Sequence, residues 1–367
     1  MHSAPAVCIL LFVALAAPSV EASRERPAAP WTAGLHTLVD EAARDFDGEL
    51  SLYVLDVESG EEYAYDADRP TYLSSAIKLA VMLEVLHQVD SQQLTWDERL
   101  ELGPEDVRDG MHRLGQARVG ERFSIATLLE YMMVDSDNAA ADLLIQRVGV
   151  ERVKAQLVAR GIQTGPVSSL LEERRRIYSK LDPRAKELSA NQIRSLGEQA
   201  SPGSRARFLT TMWEDAPAWK GRDMDRAFGA YYAENVNSAS MRGMGQLLGQ
   251  IARCEGLSTE SCARAHELMR SCRTGQSRIA AGLPKTASWA HKTGTQHRRA
   301  CDLGILHLQS GRPIVIAACT RNFWGVGEAE RLFARLGQII SNAASTPPSA
   351  QAQAANVPKG SSSTRRH

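Results

Sequence analysis

The chain has 367 residues, 43% of them hydrophobic, enough for one large domain or two modest ones with a substantial core. Its 43 Lys+Arg balance 43 Asp+Glu, so no net field draws it toward nucleic acid or an acidic membrane surface. Six cysteines over this length do not make a disulfide scaffold, and none stands in a CxxC or Cys/His pattern with zinc spacing, so neither a metal nor a cofactor is expected.

Residues 4–17 are uncharged and apolar but too short to span a bilayer as a helix, and Val20-Glu21-Ala22 offers a small-x-small cleavage site before Ser23. Residues 1–22 therefore read as a signal peptide, which predicts a periplasmic or secreted protein with no stable membrane anchor. Residues 31–46 place Leu35, Leu38, Val39, Ala42 and Phe46 on one helical face. Residues 50–57 alternate as a strand and residues 61–65 return, a hairpin about Glu58-Ser59-Gly60. Residues 76–90 predict an apolar helix, and 124–134 and 139–148 two more around Asp135-Ser136-Asp137-Asn138. Residues 300–308 and 313–320 form a second hairpin, and 327–340 a closing helix. From about Ser341 the chain is rich in Ala, Ser, Pro and Gln and predicts a disordered tail to residue 367. Strands at both ends with helices between them imply an α/β fold. Its antiparallel sheet is built from both chain ends and covered by helices, with an all-helical lobe inserted.

An exported chain meets oxidants. Cys254 and Cys262 flank a short turn, and Cys301 and Cys319 lie symmetrically about the second hairpin. At least one of these pairs is expected to be oxidised, leaving Cys272 free.

Ser75-Ala76-Ile77-Lys78 sets a hydroxyl and an ammonium one helical turn apart on the same face. A desolvated lysine there loses its proton more easily and activates the serine, while a helix N-terminus favours developing negative charge. The tetrapeptide alone is common. Ser136-Asp137-Asn138 and His291-Lys292-Thr293-Gly294-Thr295 follow it in order, the latter ending an extended Ala-Ser-Trp-Ala segment.

With these three motifs the chain resembles the class A serine β-lactamases and the related penicillin-binding proteins, whose signature is S-x-x-K, S-D-N and K-T-G. The likeness extends through residues 63–78 and 278–295, with Asp302-Leu303-Gly304 fitting the following strand, and covers residues 31–340 except for 177–232. The resemblance implies a β-lactamase-like fold with Ser75 as acylated nucleophile, Lys78 as its activator and Ser136 as proton relay toward the leaving nitrogen. It also implies that Asn138 binds the substrate's side-chain amide, that Lys292, Thr293, Gly294 and Thr295 hold its carboxylate, and that the N–H groups of Ser75 and Thr295 form the oxyanion hole. Arg298 or Arg299 is the candidate for a second cation beside that carboxylate. His291 and His297 adjoin the third motif, but two histidines without a third ligand make a poor metal site.

In this family a Glu activates the deacylating water, with an Asn four residues on. The matching stretch here is residues 170–176 (LLEERRR), where Glu172 falls at the expected distance and Arg176 replaces the Asn. Glu172 is thus the expected base, its acidity strengthened by Arg176; an ordinary i,i+4 surface pair is the competing reading. Residues 177–232 exceed the family's corresponding loop and carry Phe208, Trp213, Trp219 and Phe228; they predict extra helices, either beside the cleft mouth or decorating the lobe away from it. The expectation is a monomeric, exported serine acyl-enzyme hydrolase opening the amide of β-lactams. A D-Ala-D-Ala peptidase or other amidase or esterase is the alternative, or a non-turnover sensor of muropeptides or β-lactams. The partner is a small β-lactam or peptidoglycan-derived molecule in each case.

Overall fold

A computed structural model describes residues 31–309 and 311–345. The signal peptide read in residues 1–22 lies outside the described residues. A 3-10 turn at Trp31–Gly34 opens helix α1 (Leu35–Arg44), which buries Leu35, Val39 and Ala42, with Phe46 just beyond. Leu38 was expected on this stripe but is 43% exposed, since the buried positions advance by four and three residues and leave it at the edge.

Strands β1 (Glu49–Asp56) and β2 (Glu62–Tyr65) form the first hairpin. Strand β3 (Thr71–Tyr72) leads to helix α2 (Lys78–Asp90), the centre of the main core: Leu79 to Leu86 are all buried. Strands β4 (Arg99–Glu101) and β5 (Arg122–Ser124) pair at the edge of the helical lobe. That lobe holds α3 (Ile125–Val134), α4 (Asn138–Val148), α5 (Val150–Ala159), α6 (Leu170–Ser179), α7 (Ala190–Gly197), α8 (Pro202–Thr210) and α9 (Gly221–Tyr232). Strand β6 (Ser238–Ala239) pairs with β3 and delivers α10 (Met241–Ala252) and α11 (Thr259–Arg270). Strands β7 (Ser288–Gln296), β8 (Arg299–His307) and β9 (Pro313–Arg321) complete an antiparallel sheet of order β2-β1-β9-β8-β7, in which the two chain ends meet as β1 against β9.

Alternation along β9 explains why both faces of the sheet are covered. Ile314, Ile316 and Ala318 join the core under α1 and α12 (Val326–Ser345), while Val315, Ala317 and Cys319 join the one around α2. Helix α12 runs five residues beyond Ile340, where the tail was expected to begin. Ser341 is buried, and Ala343 and Ala344 still pack on the outer core. Residues 346–367 lie outside the described residues.

Cys301 and Cys319 sit opposite each other in the β8–β9 register, with Cα atoms 4.0 Å apart, and are joined by a disulfide; Cys254 and Cys262 form a second. Cys272 is free and buried. No helix among the described residues is long and apolar enough to cross a membrane.

Candidate active site

Ser75 stands not on α2 itself but in a 3-10 turn, Ser74–Ile77, that runs into it. The turn begins with Ser74 at φ 52°, a left-handed conformation that side chains adopt only where surrounding contacts hold them. One such contact is the Ser74 hydroxyl, which donates to the Thr295 carbonyl of β7 at 2.8 Å. The strand approaches so closely that a Cβ on Gly294 would lie 2.3 Å from the Leu73 carbonyl oxygen, which is why the last residue of K-T-G is glycine. Between turn and strand lies a cleft of about 200 Å³ lined by Ser75, Ser136, Asn138, Thr274, Thr293 and Thr295, together with Gly110, His112, Gly275 and Arg278.

Ser136-Asp137-Asn138 closes the opposite wall. Asp137 caps α4 through the N–H groups of Ala139 and Ala140 and accepts those of His112 and Leu114, so one buried carboxylate ties two segments together. Ser136 has φ 60°. Asn138 accepts from Lys78 Nζ at 2.7 Å and donates to the Asp109 carbonyl at 2.6 Å. A Cβ on Gly110 would sit 2.7 Å from that amide nitrogen.

Lys78 and Lys292 are both fully buried and meet at Ser136. Lys78 Nζ donates to the Ser136 carbonyl at 2.7 Å and to its Oγ at 3.3 Å; Lys292 Nζ donates to the same Oγ at 2.9 Å. Burial, and then the charge of Lys292, hold Lys78 well below the ordinary lysine range despite Asp137 and Asp142. Burial likewise brings Lys292 down to about 8.

The K-T-G strand is braced by a residue the sequence reading missed. Arg278, buried, donates to the Thr295 hydroxyl at 2.6 Å and to the Gly294 and Cys301 carbonyls at 3.0 and 2.8 Å. Arg298 and Arg299, the expected second cations, are used elsewhere. Arg298 stacks over Trp324 at 4.2 Å and Arg299 over Tyr232 at 4.3 Å. The exposed His112 lining the cleft was also missed. His291 and His297 do not line the cleft: His291 turns onto Asp302 at 2.7 Å, and His297 onto Asp225 and the Phe228 ring.

Glu172 departs from expectation. On α6, capped by Ser169, the buried stripe is Leu170, Glu173, Arg174, Ile177 and Tyr178, which turns Glu172 outward. Its side chain is 46% exposed, pairs with Arg176 at 3.2 Å and does not line the cleft. Glu173 is the buried carboxylate. It accepts from the Tyr72 hydroxyl at 2.6 Å, Arg174 at 2.5 Å and Asn237 at 3.0 Å. Asp142 accepts the N–H groups of Leu170 and Leu171 and pairs with Arg108, anchoring the start of α6.

Residues 177–232 build their own small core of Tyr178, Ile193, Leu209, Phe228 and Tyr231. They reach the site region at two points. Tyr72, three residues before Ser75, stacks near Tyr232 at 4.9 Å, and the Tyr232 hydroxyl donates to the His297 carbonyl beyond Thr295 at 2.8 Å.

Residues 34–344 match the model of the Beta-lactamase enzyme family. The extended-spectrum β-lactamase PER-1 of Pseudomonas aeruginosa is 26% identical over 68% of this chain and 67% of its own length. The β-lactamase VEB-1 of the same organism is 22% identical over 67% and 68%. Among solved structures, the acyl-enzyme complex of a PBP-A mutant with penicillin G shares 19% identity at a TM-score of 0.64, covering 87% of this chain and 98% of that one. A β-lactamase from Xanthomonas campestris shares 18% at 0.65, covering 84% and 97%. With the fold, the three motifs at one cleft and a family model spanning most of its length, this chain belongs to the Beta-lactamase enzyme family.

Proposed function

We propose that this protein is an exported serine hydrolase that opens the amide of β-lactams through an acyl-enzyme on Ser75 and releases the acyl group slowly. The observation that carries the reading is the Lys78–Ser136–Lys292 chain at the cleft. Lys78, losing one proton in its dry setting, keeps two N–H groups for the Ser136 carbonyl and Asn138 and gains a lone pair for the Ser75 proton. The alkoxide attacks the lactam carbonyl, and the N–H groups of Ser75 and Thr295 receive the oxyanion. Once Lys78 holds the Ser75 proton it has a third N–H for Ser136 Oγ and passes that proton on as Ser136 gives its own hydrogen to the departing nitrogen, so the C–N bond breaks and Ser136 and Lys78 return to their starting states. Lys292, Arg278, Thr293 and Thr295 clamp the substrate carboxylate.

Slow release follows from the two glutamates. Glu172 faces solvent with Arg176, and Glu173 is held by Tyr72, Arg174 and Asn237 and does not line the cleft, so neither stands ready to take a proton from water at the acyl-enzyme. This favours a penicillin-binding behaviour over rapid hydrolysis, and the acyl-enzyme described for the PBP-A mutant on the same fold is in line with it. A time course of intact mass with a penicillin tests the reading. A persistent adduct on the native protein that vanishes in Ser75→Ala supports it. Equal labelling of Ser75→Ala defeats the nucleophile, and release within seconds defeats slow turnover.

A further inference from the structure

Cys272 lies in the loop after α11, buried and outside either disulfide. Its sulfur is 3.3 Å from the Thr274 hydroxyl, which in turn is 2.5 Å from that of Thr293. The His291 ring acts on the same thiol from β7, and its Nδ1 is 2.7 Å from Asp302. Thiol, imidazole and carboxylate thus form a line of coupled groups beside the K-T-G strand.

The need for such a line comes from Lys292. Its ammonium is fully buried, yet the atoms it bonds, Ser136 Oγ and the Thr293 carbonyl, are neutral. A buried ammonium without an opposing charge is costly. The charges facing it are Cys272 and Arg278 from the segment after α11, Asp302 from β8, and Lys78 from α2, while His291, next to it on β7, acts through Cys272. Asp302 is already committed to His291 and to the Ile279 N–H. Farther out, Arg270 at the end of α11 is exposed, and Asp135 after α3 is held by Arg113 and Arg273.

We propose that Cys272 is present as a thiolate, paired with a protonated His291 and backed by Asp302, and that it is the counter-ion that keeps Lys292 charged for the substrate carboxylate. Cys272 is thereby a positioning residue, acting through Lys292. Electrostatics agree with the geometry. Burial opposes ionisation of the thiol, but His291 and Lys292 outweigh it and bring Cys272 down to about 6. Burial disfavours charged His291, but Asp302 and Cys272 raise it to about 9.

The inference rests on the proposed β-lactam reaction for its kinetic test but not for its direct one. The direct test titrates absorbance at 240 nm on the full chain, with Cys272→Ser or Cys272→Ala subtracted so that only this thiol is read. A thiolate band persisting down to about pH 6 is expected. A band appearing only above pH 8, as for an ordinary thiol, overturns the proposal. The kinetic test follows the second-order acylation rate by a carboxylate-bearing penicillin against pH. Its alkaline limb, expected near 8 in the native protein, should move down by about one unit in Cys272→Ser, the low end for loss of a close opposite charge, and return in Cys272→Asp. A limb that does not move, or an Asp variant that tracks Ser, overturns it. Absence of acylation in the native protein defeats the proposed function instead and leaves the absorbance result standing.

Discussion

Gly294→Ala probes the contact on which the site's assembly depends. The added Cβ would lie 2.3 Å from the Leu73 carbonyl oxygen, 3.1 Å from Ser74 Cβ and 3.2 Å from the Ala76 nitrogen. A carbon–oxygen contact settles at about 3.3 Å, so β7 and the Ser75 turn must part by roughly 1 Å. The two N–H groups assigned to the oxyanion, on Ser75 and Thr295, stand one on each side of that gap and cannot both keep their aim. Losing one such donor, or misplacing the groups by this much, costs roughly 10²–10³-fold in rate. Overpacking itself costs about 1–3 kcal/mol of stability, so the variant should fold and its thermal transition should remain measurable. The assay is the rate of adduct formation on Ser75 by intact mass, alongside thermal unfolding followed by circular dichroism. Acylation within threefold of native in a folded Gly294→Ala protein would refute the assembly described here.

Glu172→Gln should leave adduct lifetime within about twofold of native, because a solvent-facing carboxylate paired with Arg176 serves no step whose base is worth about 10²–10⁴-fold; a tenfold longer lifetime would restore Glu172 as the base. Asp137→Ala should lower stability in urea by about 2–4 kcal/mol, since four backbone N–H groups lose their acceptor, and a loss under 1 kcal/mol contradicts that role. Affinity for a carboxylate-bearing penicillin should weaken as pH rises through about 8, where Lys292 sheds its proton, while a neutral ester analogue shows no such limb; identical profiles for both count against the carboxylate clamp. Replacing Cys301 and Cys319 together by Ser should cost about 3 kcal/mol for a closed loop of 18 residues, and an unchanged urea midpoint tells against the bridge.

The parts of the site that were legible in the sequence are those carried by local chemistry. S-x-x-K, S-D-N and K-T-G each hold their residues within a turn or a strand, so spacing placed Ser75 with Lys78 and Ser136 with Asn138, and the family resemblance implied that the three motifs share one site. The hairpins and the closing helix followed from alternation and periodicity in the same way. Arg278 was illegible because it reaches Thr295 only through the loop after α11; a lone arginine within an apolar approach to the third motif was the available signal. Arg298 and Arg299 drew attention by adjacency, yet a two-residue turn aims them at Trp324 and Tyr232. Glu172 illustrates the limit of spacing on a helix. One residue is about a 100° rotation, so the distance from Ser136 cannot distinguish Glu172 from Glu173. The apolar markers Leu170, Ile177 and Tyr178 do distinguish them, because they place Glu173 on the buried side.

On the proposed reaction, the charges set the two halves of a β-lactam's turnover against each other. Lys78, Lys292, Arg174 and Arg278 are all buried around the site, and the first step uses burial and the neighbouring charge of Lys292 to depress Lys78 and the cations to clamp an anionic substrate. The second step needs the opposite, a carboxylate with an uncommitted oxygen at the acyl-enzyme. Glu173 is the nearest in sequence to the expected base that is buried, but Arg174 binds it at 2.5 Å and holds Asp109 at 2.9 Å, while Asp109 offers its carbonyl to Asn138. Removing Arg174 to free Glu173 would strand that buried carboxylate and the half-buried Asp109 and loosen the segment that orients Asn138, and with it Lys78. On the proposed reading, the arginine that braces the segment holding Asn138 is therefore the one that withholds a deacylating base, which puts fast hydrolysis more than one substitution away.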